Sequence, residues 1–284
     1  MRERKIPSKT FVVGEYAVLH GGPAIMLISE PYFSASIEEQ FNATNPFHPN
    51  STAGKFWFEY TNFQNKKIKF HDPHNAVGGF GASGAEFVTL FLEEFPGDPK
   101  DLAWDAWEIF LKKQNAKAIP PSGADIVAQC YGANSNKNQL LFIDFSKKEI
   151  TPLPYFSDDI KLYILHTGIK IQTHEHLSDK IKENFPYAKL IDEVHNALNS
   201  IKQHNPTALG QVMNTYASIL QKAGYMAEHT KEHLNVIQKM PGVLGAKGCG
   251  AMGSDVLLVL LKNNVREEFK KLCLSRNLRL VATI

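Results

Sequence analysis

Val77-Gly78-Gly79-Phe80-Gly81-Ala82-Ser83-Gly84-Ala85-Glu86 is the stretch on which the reading of this chain turns. Its glycines permit φ > 0 and close backbone approach to a ligand, and it runs straight into Phe87, Leu90, Phe91 and Phe95 at helical spacing. A loop at a helix start presents the free N–H groups of the first turn and the positive end of the helix dipole, which suits phosphate oxygens. Taken alone, such a loop is equally a flexible turn before a core helix. Gly79-Phe80-Gly81-Ala82-Ser83-Gly84 satisfies G-x-G-x-x-G, but a dinucleotide fingerprint also needs a strand ending at the first glycine and an acidic residue closing a second strand. Upstream, His71-Asp72-Pro73-His74-Asn75 reads as a turn; downstream lies a second helix rich in Trp and Leu. No Lys-Ser or Lys-Thr follows the last glycine, so this is not a P-loop. The loop points away from NAD and toward some other phosphate.

The 284 residues suit one large or two medium domains, and 43% hydrophobic with 21% charged is an ordinary globular mix. A net charge of +2 gives no nucleic-acid or membrane footprint, so local lysines must supply any anion binding. Cys130, Cys249 and Cys273 show no paired spacing, and Met1-Arg2-Glu3-Arg4-Lys5 lacks the apolar run of a signal peptide. The expectation is a cytoplasmic protein with reduced thiols and no membrane span.

Phe11-Val12-Val13 reads as a strand entering Gly14-Glu15, with Lys9 and Glu15 bracketing it, and Ala17 to Ile25 as strand, turn and strand. Residues 31–75 alternate apolar and polar in short runs, including Lys55-Phe56-Trp57-Phe58-Glu59-Tyr60, which predicts antiparallel β-structure. After the glycine loop and its helix, Asp98-Pro99 reads as N-cap and first residue of a second helix carrying Trp104 and Trp107 as core aromatics. Pro120-Pro121-Ser122 then stops one element and caps the next, placing Asp125 in a helical first turn. There it either complements the dipole or serves as an ionised carboxylate in a cleft. Strands are predicted at 140–145 and 161–166, with a domain boundary at Thr151-Pro152-Leu153-Pro154. Lys170 follows a glycine turn, and Thr173 opens a helical region to about residue 240, broken at Pro186 and at Asn205-Pro206. His229-Thr230-Lys231-Glu232-His233 fits an inverted zinc-protease pattern but lacks a distinct third ligand, and among 11 histidines it reads as a chance match. Residues 245–255 form a second glycine-rich stretch before the strand Val256 to Leu261, expected to press against another backbone or a ligand. A helix over 265–276 and a strand over 278–284 follow.

Together these stretches resemble the GHMP small-molecule kinases. Lys9 to Leu19 is similar to the family's first motif, the 79–85 loop to its glycine-serine ATP loop, Ser122-Gly123-Ala124-Asp125 to the segment carrying its aspartate, and Gly248 to Asp255 to its third motif. The four occur in family order along the chain. Gly14-Glu15-Tyr16-Ala17-Val18 looks like phosphomevalonate kinase, whereas His20-Gly21-Gly22-Pro23 leans toward mevalonate kinase. The departures are Ala82 for the first loop serine, Gly84 for an alanine, and Gln114 for the glutamate that shares the metal in mevalonate kinases, with Glu86 a possible substitute.

The resemblance implies an α+β, two-lobed fold: an N-terminal mixed β/α ATP-binding domain over 1–155, an α+β ferredoxin-like domain over 156–284, and the active site between them. It implies ATP and Mg²⁺ as cofactors, with Gly79, Gly81, Ala82, Ser83 and Gly84 holding phosphate and Ser83 the metal. Asp125 and Lys9 would be catalytic, Asp125 taking or orienting the acceptor hydroxyl proton and Lys9 stabilising its charge and that of the transferring group. Glu15, Tyr16, Lys170, Gly250 and Ala251 would meet the acceptor, mevalonate or phosphomevalonate, Glu15 through a hydroxyl or by holding Lys9. The chain would act as monomer or homodimer. The rival readings are a non-catalytic sensor on the same fold and a diphosphomevalonate decarboxylase.

Overall fold

A computed structural model describes residues 1–114, 121–169, 185–253 and 255–284. The chain groups into two compact units, Met1–Lys9 with Ile28–Asn138, and Thr10–Leu27 with Gln139–Ile284. Strands β1 (Arg2–Val13) and β2 (Ala24–Glu39) are long enough to run through both. The grouping is therefore interleaved, where the sequence reading had one cut between residues 155 and 156.

In the first unit, β3 (Lys66–His71) pairs antiparallel with the end of β2, Ile37 opposite Ile68. The segment expected to be a strand around Lys55–Tyr60 is instead helix α1 (Thr52–Glu59). Ser51 Oγ accepts from the Gly54 amide at 3.0 Å, and Ala53, Phe56 and Trp57 are buried while Phe58 is 66% exposed. That is a helical face with a side-chain cap, and the cap overrides the apparent alternation. Helix α2 (Ala82–Glu94) buries Phe87 edge-on against Phe56 at 5.3 Å and Phe110 at 5.5 Å, which locks it to α1 and α3 (Ala103–Lys112). Helix α3 starts later than expected: Asp98 accepts the Lys100 amide through Oδ1 and the Asp101 amide through its carbonyl, closing a separate turn. Trp104 and Trp107 are half-buried, and the Trp107 indole N–H donates to Ser122 O at 2.8 Å. It thereby pins the segment that starts α4 (Ala124–Tyr131).

In the second unit, Ala17–His20 is a short 3-10 turn rather than a strand, and β2 begins only at Ala24. The region read as a proline linker is a strand: β4 (Gln139–Asp144) and β5 (Glu149–Leu153) form a hairpin with Pro152 opposite Leu141. A four-stranded antiparallel sheet has the order β7-β8-β6-β9, from β6 (Ile160–His166), β7 (Val243–Cys249), β8 (Val256–Lys262) and β9 (Arg279–Thr283). Helices α5 (Tyr187–Lys202), α6 (Pro206–Ala223), α7 (Glu228–Ile237) and α8 (Arg266–Ser275) complete the unit. Asn205 caps α6 by accepting the Ala208 amide at 3.0 Å, ahead of Pro206 at the first helical position. Tyr163, Leu165, Leu257, Val259, Ile237 and Phe269 share its core. The first half of the second glycine-rich stretch is strand β7, and Gly245 does press on another backbone, that of Gly210 in α6. The expected helix start at Thr173 lies outside the described residues.

Candidate functional site

The glycine loop is held from both sides within the first unit. Asp72 accepts the amides of His74 at 2.8 Å and Ala76 at 2.9 Å, shaping the approach to the loop. The buried His74 ring stacks on Phe80 with centroids 4.1 Å apart, and its Nε2 lies 2.6 Å from Ser8 Oγ. Ser8 donates its own hydroxyl proton to Pro31 O at 2.6 Å, so His74 Nε2 is the donor in that pair. One residue on, the Lys9 amide donates to Phe80 O at 3.1 Å, and Lys9 Nζ lies 3.5 Å from Gly79 O. Strand β1 thus carries Lys9 along the loop.

Gly81 is the N-cap of α2 at φ 91°, a left-handed conformation that disfavours side chains. A Cβ there would also lie 2.9 Å from Gln129 Nε2 and 3.0 Å from Lys9 Cγ. The amides of the first turn of α2 and its positive dipole end therefore stand beside a lysine, an anion-binding arrangement. Helix α4 supplies the carboxylate. Its N-cap is Gly123, and Ser122 Oγ accepts the Ala124 amide at 3.3 Å, so the expected serine contact forms from one position earlier. Asp125 sits in the first turn with Oδ1 accepting the Ile126 amide at 3.1 Å. Its Oδ2 lies 3.4 Å from where a Cβ on Gly84 would stand, so it faces the first turn of α2. Lys9, Asp125 and residues 79–84 are thus brought together in one unit.

Ser83 is exposed in that first turn, and Glu86 is half-buried one turn on. Burial, and then the Asp72 carboxylate, push the Glu86 pKa up. Gln114 donates to Thr52 Oγ1 at 3.1 Å and to Phe110 O at 3.2 Å, so its amide ties α3 to α1. Among the described residues no cluster of three or more His, Cys, Asp or Glu could hold a metal. His233, in the zinc-like pattern, accepts from Arg276 Nε at 3.1 Å through Nδ1.

The remaining expected residues belong to the second unit. Glu15 is 5% exposed and its carboxylate, expected to take a hydroxyl or Lys9, forms an ion pair with Lys247, itself fully buried. Lys247 Nζ is also 3.5 Å from Cys249 Sγ. Burial alone would lower the pKa of this ammonium, but Cys249 and the Glu15 carboxylate outweigh it and leave it raised. Tyr16 stands at φ 68°, uncommon for a bulky residue, and its hydroxyl oxygen accepts the Met252 amide at 3.0 Å. Burial pushes its pKa up to about 12, against the lowering effect of the Met252 bond. Tyr16 is thus a strut between the 14–16 turn and the 250–253 turn. Gly250 is half-buried at φ 85°, Ala251 opens a short 3-10 turn, and Lys170 lies outside the described residues. Sequence reasoning missed Lys247, which sits in β7 with no distinguishing pattern, and Gln129. For Gln129 a signal existed: it lies one helical turn after Asp125, on the same face.

No family model and no curated protein sequence matches the chain. Solved structures do. The chain is similar to the Streptococcus pneumoniae phosphomevalonate kinase in complex with phosphomevalonate and AMPPNP, at 16% identity and a TM-score of 0.76 over 100% of this chain and 99% of that one. The Methanococcus jannaschii mevalonate kinase matches at 17% identity and a TM-score of 0.75 over 99% and 97%. The Lactococcus lactis galactokinase complexed with galactose matches at 11% identity and a TM-score of 0.73 over 95% and 87%. The chain has the GHMP-kinase fold, as its four motifs imply.

Proposed function

We propose that this protein is an ATP-dependent small-molecule kinase that transfers a phosphoryl group to mevalonate or phosphomevalonate. The observation that carries the reading is the convergence of Lys9, Asp125 and the amides of the α2 first turn within one unit. Phosphoryl transfer depends on positioning and charge stabilisation more than on covalent chemistry, and these are the groups it needs. The loop amides and the α2 dipole would hold ATP phosphates, and the left-handed Gly81 keeps that surface clear. Lys9 would stabilise charge on the transferring group, and Asp125 would orient the acceptor hydroxyl or take its proton. Mg²⁺ keeps several waters and needs only one or two protein ligands beside phosphate, so Ser83 with Glu86 fits its requirements. Bound there, it would neutralise phosphate charge.

Motif likeness in the second unit, and neighbours that include phosphomevalonate and mevalonate kinases, support this choice of acceptor. The same fold carries a galactokinase, so fold alone does not choose it. ADP release from Mg·ATP, with mevalonate and 5-phosphomevalonate in separate reactions, tests the reading. Turnover with one acceptor, reduced by about 10²-fold or more in Asp125→Asn and in Lys9→Met, is the expected outcome. ATP binding with no turnover on either would count against it and favour a nucleotide sensor, the reading that the engaged Gln114 amide supports.

A further inference from the structure

We propose that Gln129 is a positioning residue, a buried amide clamp that fixes the glycine loop against the strand of Lys9 and the helix of Asp125, with Gly84 as its steric complement. Gln129 is fully buried in α4. Its Nε2 donates to Pro7 O at 2.9 Å, two residues before Lys9 on β1, and to Gly81 O at 3.1 Å, the N-cap carbonyl of α2. Both amide protons are engaged, and each holds a backbone carbonyl of an element that carries an expected site residue.

The other end of the amide is unusual. Among the described residues, Gln129 Oε1 is buried without a hydrogen-bond partner. It lies against Gly84, close enough that a Cβ on that residue would overlap it. A buried acceptor left without a donor is destabilising, so the two bonds at Nε2 must be what retains it. They also explain why Gly84 stands where the resembled loop has alanine. With Nε2 anchored at both protons, Oε1 cannot swing away, and only a residue without Cβ leaves it room. Because Asp125 and Gln129 are one turn apart on α4, the clamp that sets the loop also sets the carboxylate's approach to it.

The clamp is tested in two readouts, of which the first does not depend on the kinase reading. Amide hydrogen exchange of Lys9, whose N–H donates to Phe80 O, and of Ala85, whose N–H donates to Gly81 O, should quicken by about tenfold or more in ligand-free Gln129→Leu, which keeps the bulk and removes the donors. Unchanged exchange in a folded variant overturns the clamp. The second readout rests on the proposed function: the variant should bind ATP about tenfold or more weakly and lose kcat, beyond any effect of a lower melting temperature. Wild-type ATP affinity and kcat in the folded variant overturn the positioning role. If Gln129→Leu does not fold, Gly84→Ala approaches the clamp from the other side. It should quicken exchange at the loop, and adding Gln129→Ala to it should cost no further loop protection. Independent, additive effects of those two substitutions would overturn the proposal. A wild-type chain that binds no ATP, with the exchange effect intact, counts against the kinase reading alone.

Discussion

Lys247→Met removes one partner of a buried ion pair and keeps most of the side-chain bulk. Lys247 is fully buried and the Glu15 side chain is 6% exposed, so water screens neither charge. The ammonium also meets Cys249 Sγ at 3.5 Å and lies 5.8 Å from the Tyr216 ring centroid. Without it the buried Glu15 carboxylate loses its ion-pair partner, and breaking one side of a buried pair costs about 3–5 kcal/mol. At about 2–4 °C per kcal/mol for chains approaching this length, the melting temperature should fall by about 6–20 °C. The double variant Lys247→Met with Glu15→Gln removes both charges and should recover most of that loss, because replacing a whole buried pair is often near neutral. The pH dependence has a definite sign. The raised pKa of Lys247 makes its contribution fully present below the unfolded-state value. It disappears as pH rises through the higher folded value, so the Lys247 contribution to the gap between wild type and variant is lost in alkaline solution. Thermal melts of the wild type and both variants at pH 7 decide the matter. A single variant within about 1 kcal/mol of wild type, or a double variant as unstable as the single, would refute the reasoning.

Two further outcomes follow from local geometry. Gly81→Ala forces a side chain into the left-handed region at φ 91°, costing about 1–2 kcal/mol, and crowds Lys9 and Gln129. Calorimetric titration should show ATP affinity at least about tenfold weaker; unchanged affinity would place the phosphates elsewhere. Asp144 accepts Ser146 Oγ at 2.6 Å and the amides of Ser146 and Lys147 at 3.0 and 3.2 Å. Burial raises its pKa, but those donors and the Lys147 charge outweigh it and leave it below the ordinary aspartate value. Its stabilisation is therefore present above the unfolded value and lost as pH falls through the folded one. Urea melts should show Asp144→Asn less stable than wild type at pH 7, with the gap shrinking as pH falls below the ordinary carboxylate range, and a gap independent of pH would contradict this.

What the sequence disclosed depended on whether the deciding physics was local. The helix after the glycine loop, the Asn205-Pro206 start of α6 and the apolar run from Val256 to Leu261 in β8 were legible because caps and periodicity lie within a few residues of one another. Phe56-Trp57-Phe58 misled because three aromatics read as a strand whichever neighbours are counted, and the Ser51 cap that makes the segment a helix lies outside the run. Pro152 looked like a linker although its edge strand β5 tolerates the missing donor. In the candidate site, Lys9, Asp125 and the loop were found through motif likeness. Gln129 and Lys247 were not, because a buried amide and a buried ammonium gain meaning only from partners 48 to 232 residues away. Their roles are set by tertiary contacts, and for Gln129 the sequence held only its place one helical turn after Asp125.

The proposed activity is transfer of the ATP γ-phosphoryl group to a small acceptor at Asp125. Phosphorus NMR of Mg·ATP with the wild type and with Asp125→Asn, in the presence of each acceptor, follows that group directly. The γ-phosphate signal should pass into a new phosphate ester or diphosphate resonance on one acceptor, at a rate about 10²-fold or more lower in a variant that melts like the wild type. Appearance of inorganic phosphate alone, at a rate indifferent to both the acceptor and the substitution, would contradict it.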